Sequence, residues 1–146
     1  MEDIKYIFNV EKDDFVRAGE TSSKVKKILR ELGIDSSIIR KISIAAYEAE
    51  MNIVIHSTGG QIVLEITPGV IRIIASDRGP GIADVELAMK EGYSTATDRV
   101  REMGFGAGMG LPNMKRCSDR FYVTSSEGTG TQIVIEVDLK AGEQGE

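Results

Sequence analysis

Seven of the sixteen glycines in this 146-residue chain fall within residues 79–110. Glycine makes up about 11% of the chain, against about 7% in ordinary proteins. Concentrated in one stretch, it marks a built site rather than a floppy chain, because glycine is used where backbone must turn tightly or approach a ligand closely.

The segments on either side are strongly patterned. Residues 4–10 (IKYIFNV) read as a first strand. A helix is predicted over about 13–32, where Val25, Ile28, Leu29 and Leu32 fall at i, i+3, i+4 and i+7. Lys24, Lys27 and Arg30 lie on its other face and read as solvated, and Gly33 sits where a helix C-cap is expected. Asp35 or Ser36 caps a second helix that runs to about His56, with Ile38, Ile42, Ala45, Ala49 and Ile53 as its apolar stripe. Gly59-Gly60 reads as a turn, and two strands follow at 61–66 and 70–76, joined by a Pro68-Gly69 turn. A short helix over 83–91, a polar Gly-rich segment over 92–106 and a helix over 107–118 come next. The chain closes with strands at 120–125 and 131–139 around the turn EGTG. In the last strand Ile133, Ile135, Val137 and Leu139 alternate with polar positions, Val134 apart, as a sheet with one covered face requires. Strand hairpins and helices in this order predict a two-layer α+β sandwich with a mixed, mostly antiparallel sheet. The whole chain, 1–146, reads as one domain with a frayed tail at 140–146.

Composition excludes several functions. With 18 basic and 23 acidic residues the net charge is −5, so no basic face is expected for direct nucleic-acid binding. Trp is absent and aromatics make up 5%, which argues against base-stacking platforms. One cysteine, Cys117, excludes an internal disulfide framework and suits a reducing compartment. No apolar run approaches the roughly 20 residues that cross a bilayer, and MEDIKYIFNV lacks the features of a signal peptide. A cytoplasmic protein without membrane contact is expected.

Three clusters carry chemistry. Glu48 and Asn52 are spaced i, i+4 on the second helix and share a face. A carboxylate beside an amide oxygen suits Mg²⁺, which takes one or two protein oxygens alongside phosphates and water, and a carboxylate there can accept a proton from an attacking hydroxyl. Asp77-Arg78-Gly79-Pro80-Gly81 follows an apolar strand, where the aspartate can accept from an exocyclic amine such as that of adenine. GFGAGMGL, residues 104–111, opens a helix, and glycines at a helix start expose N–H groups that favour phosphates. This third cluster fits neither the P-loop pattern nor the Rossmann fingerprint. Taken singly, each has an ordinary structural explanation: polar residues on a helix, a turn, a flexible loop.

In this order the clusters resemble the GHKL superfamily of ATP-binding (Bergerat-fold) domains. EAEMN is similar to its N box, DRGPG to its first glycine box and GFGAGMGL to its second. With GYST at 92–95 and GAGMGLPNMKR at 106–116, the chain most resembles the small anti-sigma-factor serine/threonine kinases of bacteria. The resemblance spans about residues 35–138 and implies ATP and Mg²⁺ as cofactors. It implies Glu48 as general base, Asn52 as magnesium ligand, and Asp77 as the adenine reader with Gly79 and Gly81 shaping its pocket. Gly104, Gly106, Ala107, Gly108, Met109, Gly110 and Leu111 would line the phosphates, and Thr129 and Thr131 would form the last element near the nucleotide. Residues 93–105 would be the ATP lid, with Arg99 or Arg101 reaching the γ-phosphate. The implied reaction is phosphorylation of a serine or threonine on a STAS-domain partner, with room for a sigma factor as a second partner. The alternative is a nucleotide-gated binding module without turnover. Two departures stand out: the N box carries an extra acid, Glu50, read as facing away from the nucleotide, and residues 96–103 lengthen the lid. Edge pairing through the first strand leaves room for a homodimer. His56 reads as a capping or packing residue, and Cys117 as a core thiol.

Overall fold

The computed structural model describes residues 3–14, 16–79, 89, 110–126 and 128–139. Five strands, β1 (Ile4–Val10), β2 (Gly60–Ile66), β3 (Val70–Asp77), β4 (Arg120–Ser126) and β5 (Gly130–Asp138), form one sheet in the order β1-β2-β3-β5-β4. Every pairing is antiparallel. The expectation of a mixed sheet thus gives way, among the described strands, to a wholly antiparallel one. β3 and β4 run parallel to each other, but no parallel pair forms because β5 slots between them and pairs antiparallel with both.

Period-two alternation gives the sheet two chemically distinct faces. On the inner face, Ile62, Ala75 and Ile133 align across three strands, as do Leu64, Ile73 and Ile135, then Ile66, Ile71 and Val137. All nine are buried. On the outer face, Ile7, Val63, Ile74, Val134 and Tyr122 form one row across all five strands. Beside it runs a row of alternating charge, Lys5, Glu65, Arg72, Glu136 and Arg120. Arg72 bonds Glu136 at 2.7 Å and Glu65 at 3.4 Å, and Arg120 bonds Glu136 at 2.6 Å. Cross-strand pairing of opposite charges of this kind adds a few tenths to about 1 kcal/mol per pair and fixes register.

The helices α1 (Glu20–Glu31), α2 (Ser36–His56) and α3 (Gly110–Arg116) supply the other layer. In α2 the predicted stripe of Ile38, Ile42, Ala45, Ala49 and Ile53 is buried throughout. Its start matches the expectation, because the Asp35 carboxylate accepts the Ser37 N–H at 3.0 Å. Gly33 likewise ends α1 as expected: at φ +74° it donates to the Arg30 carbonyl while Ile34 donates to Leu29, the paired bonds of a Schellman cap.

The start of α1 differs. The predicted helix over 13–32 begins only at Glu20. Residues 11–14 and 16–19 turn instead, with the Asp13 N–H on the Val54 carbonyl at 2.9 Å and Gly19 in the left-handed region at φ +95°. Gly19 has no side chain to cap the helix. The carboxylate of Glu50, from α2, does so instead, accepting from the N–H groups of Gly19, Thr21 and Ser22 at 3.1, 3.2 and 3.1 Å. Expected helix 83–91, the lid at 93–105 and the tail at 140–146 lie outside the described residues. No helix among the described residues is long and apolar enough to cross a membrane.

Candidate functional site

The site is assembled where the end of α2 meets the end of β3. Glu48 and Asn52 stand one turn apart on α2, both half-buried beside the buried stripe. Beyond His56 the chain is stitched to the first glycine box. The Thr58 N–H and hydroxyl donate to the Arg78 carbonyl at 2.7 and 2.8 Å, and the Arg78 N–H donates to the Gly59 carbonyl at 3.0 Å. A Cβ on Gly79 would lie 3.1 Å from the Ser57 Cα. These bonds tie the helix that carries Glu48 and Asn52 to the strand end that carries Asp77.

Asp77 is half-buried, and its Oδ1 accepts the Thr131 N–H at 3.1 Å. Burial pushes its carboxyl above the ordinary 3.8, with the Thr131 N–H pulling the other way. The buried Thr131 hydroxyl in turn lies 2.9 Å from the Ser125 hydroxyl. Two glycines that sequence reasoning assigned only to turns make this strand end possible. A Cβ on Gly130 would lie 2.2 Å from the Asp77 carbonyl oxygen, and one on Gly60 would lie 2.2 Å from that of Ser76. Gly130→Ala is therefore expected to destabilise the protein by about 2 kcal/mol or more, from overpacking and from its φ of +132°. Gly69→Ala, where a Cβ meets nothing within 4 Å, serves as the near-neutral comparison in thermal melts.

From the other side, α3 brings Asn113 to Glu48. The Asn113 amide donates to Glu48 Oε2 at 2.9 Å, and Arg116 donates to Asn113 Oδ1 at 2.6 Å. Leu111, expected among the phosphate-lining residues, is buried in the core with Pro112 and Met114 and anchors α3. Gly110 opens that helix, and Thr129 lies exposed in the β4–β5 turn. Gly81, Arg99, Arg101, Gly104, Gly106, Ala107, Gly108 and Met109 lie outside the described residues. His56 is half-buried, with its imidazole held below 6.5 by burial, and the Cys117 thiol is pushed up chiefly by burial.

Sequence reasoning missed two residues. Glu50 is buried at 3% exposure as the cap of α1. Its one signal is position: an acid flanked by Ala49 and Met51 in a helix whose neighbouring turns are apolar. Asn113 had no signal at all, since its partner is 65 residues away.

An ATP-binding domain of the Bergerat type accounts for this fold and for the order of these elements. The family described as histidine kinase-, DNA gyrase B-, and HSP90-like ATPase matches residues 37–141. The chain belongs to that family, and within it to the group that includes the serine/threonine-protein kinase RsbT and the anti-sigma F factors. RsbT of Bacillus subtilis (strain 168) is 35% identical over 112 residues, 74% of this chain and 78% of that protein. The anti-sigma F factor of Clostridium novyi (strain NT) is 35% identical over 109 residues, 70% of this chain and 73% of that protein. Among solved structures, the catalytic domain of the histidine kinase ThkA aligns over 98% of this chain and 99% of that one, at a TM-score of 0.46 and 16% identity.

Proposed function

We propose that this chain is an Mg-ATP-dependent protein serine/threonine kinase that phosphorylates a STAS-domain partner. The observation that carries the reading is the shared face of α2, which presents the Glu48 carboxylate and the Asn52 amide one turn apart while its end is bonded to the Asp77 strand end. The kinase and anti-sigma names of the relatives support it.

In this reading Asp77 accepts from the exocyclic amine of adenine, and Gly79 with Gly81 shapes the pocket. The glycine box from Gly104 to Gly110 lies along the phosphates, and Arg99 or Arg101 reaches the γ-phosphate. Asn52 would hold Mg²⁺: its side chain makes no hydrogen bond to any described residue, and among the described residues no three of His, Cys, Asp and Glu converge as a metal cage. One amide oxygen plus phosphates and water is the donor set such an ion accepts. Bound there, the ion would neutralise phosphate charge. Glu48 takes the proton from the acceptor hydroxyl as its oxygen bonds the γ-phosphorus. The bond from that phosphorus to the bridging oxygen breaks, and ADP leaves with the electron pair. A sigma factor as second partner, and a homodimer through the edge strand β1, belong to the same reading.

The test is phosphate transfer from Mg-ATP to a STAS-domain protein from the same genome, read by intact-protein mass. A phosphate adduct supports the kinase; ATP binding with no adduct supports a nucleotide-gated binding module instead. Asp77 gives a separate prediction. The amine contact needs the ionised carboxylate, whose proton affinity burial has raised. ATP affinity is thus expected to fall as pH is lowered through that raised value, because Oδ1 already serves the Thr131 N–H and a proton on Oδ2 turns that oxygen from a charged acceptor into a donor. Asp77→Asn is expected to bind ATP about tenfold or more weakly at neutral pH, with a flatter pH dependence, in calorimetric titrations.

A further inference from the structure

The carboxylate read as the base is held by a side chain to which neither glycine box gives a role. Asn113, on α3, donates its amide N–H to Glu48 Oε2 at 2.9 Å and accepts from Arg116 at 2.6 Å. An ionised carboxylate only accepts and a guanidinium only donates, so the amide has a single orientation that serves both. The order is therefore directional: Arg116 orients Asn113, and Asn113 orients Glu48. The backbone that carries this amide is itself fixed, since Leu111, Pro112 and Met114 on the same short helix are buried in the core. With Oε2 engaged, Oε1 has no hydrogen-bond partner among the described residues and is the oxygen free to take a proton.

We propose that Asn113 is the positioning residue for Glu48, aiming Oε1 at the acceptor hydroxyl, with Arg116 as its orienting partner. The inference rests on the reading of Glu48 as general base. Asn113 gains and loses no proton; it removes the rotational freedom of the carboxylate about its last torsion, and misplacement of a reacting group by a fraction of its length is enough to slow transfer. Because α3 continues directly from the second glycine box, the same short helix that follows the phosphate-binding segment sets the aim of the base.

The experiment measures steady-state transfer from Mg-ATP to the STAS-domain protein by the full chain and its variants, with ATP affinity and melting temperature measured beside it. Asn113→Ala is expected to lower kcat on the order of tenfold, with the KM for ATP within about twofold of wild type. Asn113→Asp sets a like charge against Glu48 and is expected to lower kcat further, again without loss of ATP affinity. Arg116→Ala moves kcat the same way by less. A purely structural role would instead lower the melting temperature and weaken ATP binding in step with the rate. Either that pattern or wild-type kcat in Asn113→Ala, with Glu48→Gln inactive, overturns this inference alone. Full transfer by Glu48→Gln, or none by the wild type, overturns the reading of Glu48 and this inference with it.

Discussion

Glu48→Gln is expected to lower phosphoryl transfer by about 10²–10⁴-fold, the range of a lost general base, while ATP affinity and melting temperature stay near wild type. The substitution is close to isosteric. The glutamine carbonyl can still accept from Asn113, so the contact between α2 and α3 at 2.9 Å is kept. What is lost is the ability to take a proton. Asn52 and Asp77, which the proposed reading assigns to the ion and the adenine, are untouched. Single-turnover transfer by intact mass, with ATP binding measured in parallel, separates the two effects. A variant that transferred phosphate at the wild-type rate would leave positioning and charge neutralisation as the whole of catalysis, and Glu48 as a structural partner of Asn113.

The largest effect on stability is expected at Glu50. Its carboxylate serves three N–H groups at the start of α1, in a place where water does not replace it. Each buried donor left without a partner costs about 1–3 kcal/mol, so Glu50→Ala is expected to cost about 3 kcal/mol or more and to fray α1 from its first turn. Glu50→Gln should fall between, because its single carbonyl oxygen cannot serve both sides and its NH₂ faces an N–H. Denaturant melts monitored by circular dichroism would measure both. The pH dependence has a definite sign. Burial raises the Glu50 carboxyl above 4.5, against the pull of the Ser22, Thr21 and Gly19 N–H groups. The folded protein therefore holds that proton more tightly than the unfolded chain. Its contribution to stability is fully present below 4.5 and is lost as pH rises through the raised value. Glu50→Gln should lack this component of the pH slope.

How much of this was legible before the structure depends on where each hydrogen bond goes. The start of α2 was readable because its cap, Asp35, is two residues from the N–H it serves. The end of α1 was readable because Gly33 closes it locally. The start of α1 was not, because its cap comes from Glu50, 28 to 31 residues further on. Taken by sequence, Glu50 was an extra acid turned away from the nucleotide; in the fold it is buried as the keystone of another helix. The glycines at 60 and 130 read as turn residues, whereas the tight backbone approaches at Ser76 and Asp77 are what demand them.

The sequence by itself determined the periodicities: the apolar stripe of α2, the two-faced alternation of the strands, the i, i+4 pair of Glu48 and Asn52, and the order of the glycine boxes. Those properties depend on chemical type and spacing along one element, and a helix or strand converts spacing into a face without help from the rest of the chain. Only the tertiary structure decided which faces meet: β5 inserted between β3 and β4, Thr131 bonded to Asp77, Glu50 capping α1 and Asn113 holding Glu48. Each of those joins groups far apart in sequence. Such contacts are selected by burial and by hydrogen-bond satisfaction across the whole core, for which local spacing carries no signal.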